Sequence, residues 1–211
     1  MSARCQRKRN IMNEQNKQPF LLRIFTFFLS HKILAVLCAV LLLFNLGLVG
    51  VIVHDANEKA HIREIEQYVD AACEEFGFSK AIVLAVIKTE SNFDAKAESS
   101  ANARGLMQIT EVALSDINKF LSEEYTFRQM FDPATNIRCG VCYLSRLYEK
   151  YKNYDTAFAA YNAGQGNVDK WLKDSRYSKD QKTLYKIPFG ETTNYVKKVN
   201  RYRKEYQKRF E

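Results

Sequence analysis

Residues 33–53 read ILAVLCAVLLLFNLGLVGVIV, 21 residues without a charged side chain. A helix of that length rises about 1.5 Å per residue and reaches roughly 30 Å, the thickness of a bilayer's hydrocarbon core. Only Asn45, Gly47 and Gly50 interrupt the run. In lipid a lone segment must satisfy its own backbone, so this stretch is expected to be a single transmembrane helix. The net charge of +8 is distributed around it unevenly. Residues 1–32 hold seven Lys/Arg (Arg4, Arg7, Lys8, Arg9, Lys17, Arg23, Lys32) against one acid, Glu14. The rest of the chain is nearly balanced, so the excess speaks for membrane orientation and against nucleic acid as a partner. The positive-inside rule puts residues 1–32 in the cytoplasm as a basic segment and the chain after about residue 54 outside.

A cleaved signal peptide is the rival reading. It requires a shorter apolar core and a small-x-small site, whereas this run is long and ends Val51-Ile52-Val53-His54. A retained signal anchor is therefore expected at 33–53. The apolar residues Phe20, Leu21, Ile24, Phe25 and Phe28 could form an amphipathic stripe on the inner membrane surface, or a plain juxtamembrane extension.

Past the anchor, 54–64 reads as a linker or the start of a first helix, and 65–208 as one compact domain. Pro is scarce and no segment is rich in strand formers, so the expected fold class is mainly α. Helices are expected over 57–76, ended by Gly77, and from Ser79 as N-cap through KAIVLAVIKTE. Further helices are expected over 106–120, 136–151, 154–162, 167–173 and 191–208, with 174–190 irregular. Of the five cysteines, Cys5 falls on the cytoplasmic side and Cys38 in the span. Cys139 and Cys142 have the spacing of a zinc or redox half-site, but no second Cys/His pair accompanies them. Buried free thiols are the better-supported reading, and a disulfide from Cys73 to one of the pair stays open.

Glu90 is the residue out of place. It shares a helix face with Val83, Val86 and Ile87, at i−7, i−4 and i−3. Burying a carboxylate is costly, and the last turn of a helix adds the negative end of its dipole. Both effects raise the pKa, and a carboxylic acid still protonated near neutral pH can protonate a glycosidic oxygen. A Glu paired with a buried cation, or pointing out of a frayed end, is the bland alternative.

The words around Glu90 decide between them. Glu90-Ser91-x-Phe93, Ser99 and Gly105-Leu106-Met107-Gln108 resemble the first motif block of the SLT-type lytic transglycosylases, which share a lysozyme-like fold with goose-type lysozymes. Phe131-Asp132-Pro133 with Asn136-Ile137, Gly140 and Tyr143-Leu144 resemble the next block. Ala159-Ala160-Tyr161-Asn162-Ala163-Gly164-x-Gly166, Val168 and Trp171 resemble the third. Ile187-Pro188, Glu191-Thr192 and Tyr195-Val196 resemble the last. The sequence departs from that pattern at Asn102, often Gly, at Glu111, often Pro, and at Thr193, often Arg.

The resemblance implies a bacterial enzyme acting on peptidoglycan glycan strands, with no cofactor and no metal, and the apolar segment with its basic flank makes it membrane-anchored and extracytoplasmic. Glu90 would be the single catalytic acid/base. Ser99 would orient the N-acetyl group of muramic acid, and Gln108 would hydrogen-bond the glycan. Tyr161 and Asn162 would line the cleft, with Glu191 and Tyr195 supplied by the last helix. Tyr195 could equally be core, and Glu191 a helix cap. Met107 and Trp171 read as packing. Lys197, Lys198, Arg201, Lys204 and Lys208 read as a solvated face, or one drawn to anionic wall polymer or lipid. Most glycosidases use two carboxylates; here Asp94, Glu98 and Glu111 offer no convincing second one, which points to substrate assistance. The expected product is 1,6-anhydromuramic acid, formed when the muramic acid 6-hydroxyl attacks the anomeric carbon. A lysozyme-type muramidase on the same fold is the nearest alternative, and a non-catalytic wall-binding scaffold the more distant one.

Overall fold

The computed structural model describes residues 6–7 and 19–210, and the chain divides into two compact units, 1–58 and 59–211. Cys5 lies outside the described residues, as do the side chains of Ile24, Phe25 and Phe28. The first helix, α1, runs without a break over Phe20–Phe76. The linker region 54–64 is thus helical.

In the first unit α1 exposes apolar side chains on every side, from Ile33, Leu34 and Leu37 to Val51, Ile52 and Val53. A helix apolar all round needs an apolar medium around it, and this one is long and apolar enough to cross a membrane. Asn45 does not disturb the segment, because its Nδ2 donates to the Leu41 carbonyl one turn back at 2.7 Å. A polar group satisfied within its own helix avoids most of the cost of burial in lipid.

The second unit is a helical domain built around one buried helix. Helix α1 enters it with Ile65, Val69 and Ala72 in the core and ends at Gly77, whose φ of +62° suits a residue without a Cβ. Helix α2, Lys80–Glu90, is buried from Ala81 through Ile87. Ser79 is its N-cap by position, but the Ser79 side chain makes no capping bond; the backbone carbonyl accepts from Ile82 and Val83 instead.

Residues 91–110 follow as an irregular loop closed by two isolated antiparallel bridges, Glu98 to Arg104 and Arg104 to Ile109. Helix α3 covers Glu111–Leu121, so 106–110, expected to be helical, belongs to the loop. The reason is local: Thr110 is the N-cap, its Oγ1 accepting from Ala113 N at 3.2 Å. Glu111 then occupies the first helical position. Proline favours that position by its fixed φ, and a carboxylate suits it by its charge.

A 3₁₀ turn, Phe127–Phe131, leads to α4, Pro133–Tyr151, where Asp132 caps Thr135 N at 2.9 Å and Pro133 opens the helix. Helix α5, Tyr154–Ala163, is capped by Asn153, and α6 spans Gln165–Leu172. Gly164 joins them at φ +84°, ψ +145°, a conformation open in practice to glycine alone. Residues 174–189 are without a helix, and α7 covers Gly190–Phe210. Helix α7 packs on α2, while α5 packs on both α4 and α7.

Cys139 and Cys142 are buried in α4 and Cys73 is half-buried, all three as free thiols. Burial raises the Cys139 thiol to about 12 and Cys73 to about 11, which keeps both in the unreactive thiol form. Met107, fully buried, and Trp171, 8% exposed, are packing residues, as expected.

Candidate active site

Because α2 packs along α7, the end of one helix meets the start of the other. There the Tyr195 hydroxyl donates to Glu90 Oε1 at 2.7 Å, across 105 residues of sequence. Burial pushes the Glu90 carboxyl up from 4.5 to about 7, and the Tyr195 bond opposes that by favouring the charged form. Glu90 nonetheless keeps part of its surface open. Tyr195 is 7% exposed, and its phenol is held well above its ordinary value by burial first and then by Glu90. It stays a neutral donor throughout the working pH range.

The turn after Glu90 is unusual. Asn92 and Phe93 both take left-handed backbone conformations, φ +54° and +69°. A bulky residue there is strained, and such strain persists only where neighbours hold it. Phe93 is buried against the core, and Ser91 Oγ donates to the Leu106 carbonyl at 2.9 Å, tying this turn to the Gly105–Gln108 segment.

That segment is anchored from below by Asn136, a polar side chain with no exposed surface. Its Nδ2 donates to the carbonyls of Arg104 at 2.9 Å and Met130 at 2.8 Å, and its Oδ1 accepts from Met107 N at 2.7 Å. A Cβ on Gly105 would run into the Met130 carbonyl and the Asn136 amide, and one on Gly140 would strike Met107. Both motif glycines are therefore required by close approach. Asn102 stands at φ +57°, where asparagine is the best substitute for glycine, so this departure preserves the turn. Thr193 donates from Oγ1 to the Phe189 carbonyl at 3.0 Å and helps close the start of α7.

The other expected site residues fall into two groups. Gln108, Tyr161 and Asn162 line one cavity of about 260 Å³, together with Tyr143, whose only signal in the sequence is its place in the second motif block. Gln108 Nε2 donates to the carbonyls of Gly105 at 2.9 Å and Ala97 at 3.1 Å. The Tyr161 hydroxyl donates to the Met107 carbonyl at 2.8 Å, and its ring lies 5.7 Å from that of Tyr143. The nearby Glu90 charge, after burial, helps raise the Tyr161 phenol well above its usual value, so Glu90 and this cavity share one electrostatic neighbourhood. Asn162 Oδ1 accepts from Thr192 Oγ1 at 2.7 Å, joining the cavity wall to the α7 turn that carries Glu191.

Ser99 and Glu191 are not drawn in the same way. Ser99 Oγ accepts from Ala103 N at 3.0 Å and shapes its own loop. Glu191 is exposed in the first turn of α7. Asp94 is exposed and caps Lys96 N at 2.8 Å, and Glu98 pairs with Arg104 at 3.0 Å. Glu111 is exposed as well.

Removing the Tyr195 hydroxyl withdraws a bond that favours ionised Glu90. In Tyr195→Phe the Glu90 pKa is expected to rise above about 7, so the alkaline limb of turnover moves to higher pH. A pH–rate profile of both proteins checks this, and an alkaline limb that stays or moves down would contradict it.

A buried helix ending in a carboxyl that burial raises, a tyrosine donor from the last helix and a cavity lined by Gln108, Tyr161 and Asn162 are set in a lysozyme-like helical domain. The chain belongs to the Transglycosylase SLT domain family, whose model matches residues 67–184. It is 37% identical over 146 residues to a putative soluble lytic murein transglycosylase of Haemophilus influenzae, covering 67% of this chain and 24% of that protein. It is 30% identical over 164 residues to membrane-bound lytic murein transglycosylase C of Pectobacterium atrosepticum, covering 66% of this chain and 46% of that one. Among solved structures it superimposes with a TM-score of 0.60 and 30% identity on the 70-kDa soluble lytic transglycosylase of Escherichia coli. That match covers 68% of this chain and 24% of the other. The chain thus spans about a quarter of the length of the soluble relatives and under half of the membrane-bound ones.

Proposed function

We propose that this chain is a peptidoglycan lytic transglycosylase that cleaves the bond between N-acetylmuramic acid and N-acetylglucosamine, with Glu90 as its one acid/base. The observation that carries the reading is the Glu90 carboxyl at the end of the buried α2, pushed up to about 7 by burial and bonded by the Tyr195 hydroxyl at 2.7 Å, with Gln108, Tyr161 and Asn162 lining a cavity of about 260 Å³ in the same domain. Its relatives, named as murein transglycosylases, and a solved Pseudomonas aeruginosa neighbour described as an inactive Glu→Gln mutant support it.

In this mechanism protonated Glu90 gives its proton to the glycosidic oxygen as the bond breaks. The substrate's 2-acetamido group steadies the developing cation, filling the place of the second carboxylate that Asp94, Glu98 and Glu111 do not supply. Glu90, now a carboxylate held by the Tyr195 hydroxyl, takes the proton of the muramic acid 6-hydroxyl as that oxygen bonds to the anomeric carbon. No water is consumed. Gln108, Tyr161 and Asn162 hold the glycan, Ser99 faces the N-acetyl group, and Glu191 stands at the cleft edge; positioning of this kind is worth several orders of magnitude in rate. The apolar 33–53 segment of α1 is read as a single-pass anchor with the N-terminus inside and the catalytic domain outside.

The test is mass spectrometry of the products released from purified peptidoglycan by the full-length chain in detergent. Anhydromuramyl ends, lighter by one water than reducing ends, are expected. Ordinary reducing ends would make the chain a muramidase, and no release at all would make it a wall-binding domain.

A further inference from the structure

The strained turn after Glu90 is held from an unexpected direction. His61 lies on α1 within the second unit, six residues ahead of the family match at 67. Its Nε2 sits 3.2 Å from the carbonyl oxygen of Phe93. A carbonyl can only accept, so Nε2 carries the proton in this contact, whether the ring is neutral or charged.

The Phe93 carbonyl belongs to the left-handed pair Asn92-Phe93, three residues from the acid. Among the described residues no backbone N–H reaches it. The Phe93 ring is fixed separately, buried in the core with the Lys88 ammonium 5.7 Å from its centre. The ring is thus held by packing, and the Phe93–Asp94 peptide plane is held at its two ends, by His61 on the carbonyl and by the Ser91 carbonyl on the Asp94 N–H. Peptide-plane rotation at Phe93 would carry along Asp94, whose N–H bonds to the Ser91 carbonyl at 3.1 Å, and through Ser91 the end of α2 where Glu90 sits.

We propose that His61 is a positioning residue of the Glu90 site, donating to the Phe93 carbonyl and so holding the left-handed turn that aims the acid. The support of the site then begins eight residues after the apolar stretch, on the helix that continues from it. This rests on the transglycosylase reading for its rate readout but not for its structural one.

The experiment compares wild type, His61→Phe and His61→Gln as full-length chains in detergent. Phenylalanine keeps a ring of similar shape and loses the donor; glutamine restores a donor of similar reach. In His61→Phe, kcat on peptidoglycan is expected to fall about three- to tenfold, the rate equivalent of one ordinary hydrogen bond, with KM unchanged. His61→Gln is expected to recover most of that loss. Hydrogen exchange followed by mass spectrometry is expected to show the segment 91–97 exchanging faster in His61→Phe only. Unchanged kcat in both variants, a change in KM instead, or glutamine behaving like phenylalanine would overturn the proposal. If the wild type released no product, the functional reading alone would fail, and unchanged exchange in His61→Phe would still overturn the His61 contact.

Discussion

Replacing Glu90 with Gln should reduce turnover about 10²–10⁴-fold, the usual contribution of a general acid/base, while leaving glycan binding in place. The same substitution should stabilise the protein, in a pH-dependent way. The folded carboxyl keeps its proton up to about 7, whereas the unfolded chain releases it near 4.5. Between those values the folded state binds more protons, so stability falls as pH rises through the window. Above it the wild type carries the full cost of a buried carboxylate, roughly 3 kcal/mol at 1.36 kcal/mol per pKa unit. Glutamine has no proton to lose and still accepts from Tyr195. Thermal unfolding followed by circular dichroism should therefore show Glu90→Gln above wild type at pH 8 and level with it at pH 4. An equal difference at both pH values would mean that the carboxyl is not desolvated, and the assignment of the acid would lose its physical basis.

Asn136→Leu should be among the most destabilising single changes available outside the chemistry. Leucine has the same branched shape, though it is bulkier, and leaves the Met107 N–H and the Met130 carbonyl without their partner, while the Arg104 carbonyl keeps only its bond from Ile109 N. Each buried orphan costs about 1–3 kcal/mol, so with two of them a loss of at least about 2 kcal/mol is expected. Asn136→Asp sharpens the test. Its carboxyl could accept from Met107 N, but its second oxygen would face two carbonyl oxygens where the amide donated. Ionisation is then disfavoured in the fold, and stability should fall as pH rises above the ordinary carboxylate range. Urea unfolding at pH 4 and pH 8 measures it. An Asn136→Asp protein as stable at pH 8 as at pH 4 would show that the cradle is looser than its distances imply.

The two residues illustrate different degrees of legibility. Glu90 stands out in the sequence because its anomaly is local, a carboxylate on the apolar face of a helix at the end where the dipole disfavours charge, and the motif words around it weigh that anomaly toward an acid. The long apolar stretch and the amphipathic helices are legible for the same reason, since hydrophobic periodicity is a property of one segment and its own backbone geometry. Local geometry also explains the error over 106–110. Those residues are apolar enough to pass for a helix, but Leu106, Met107 and Ile109 are buried as loop, and the start of α3 is set by the Thr110 cap.

Sequence by itself determined most of the segments that become helices, which stretch suits lipid, and that a carboxyl stands on the apolar face at the end of α2. The tertiary structure alone decided what surrounds that acid. Tyr195 reaches it because α7 packs on α2, and Asn136 supports the neighbouring loop across 29 residues to Met107. His61 meets Phe93 across 32 residues from a helix whose pattern marks it only as an exposed position. Such pairings depend on how whole helices dock, and docking is fixed by the sum of many apolar contacts, which no single segment's periodicity encodes.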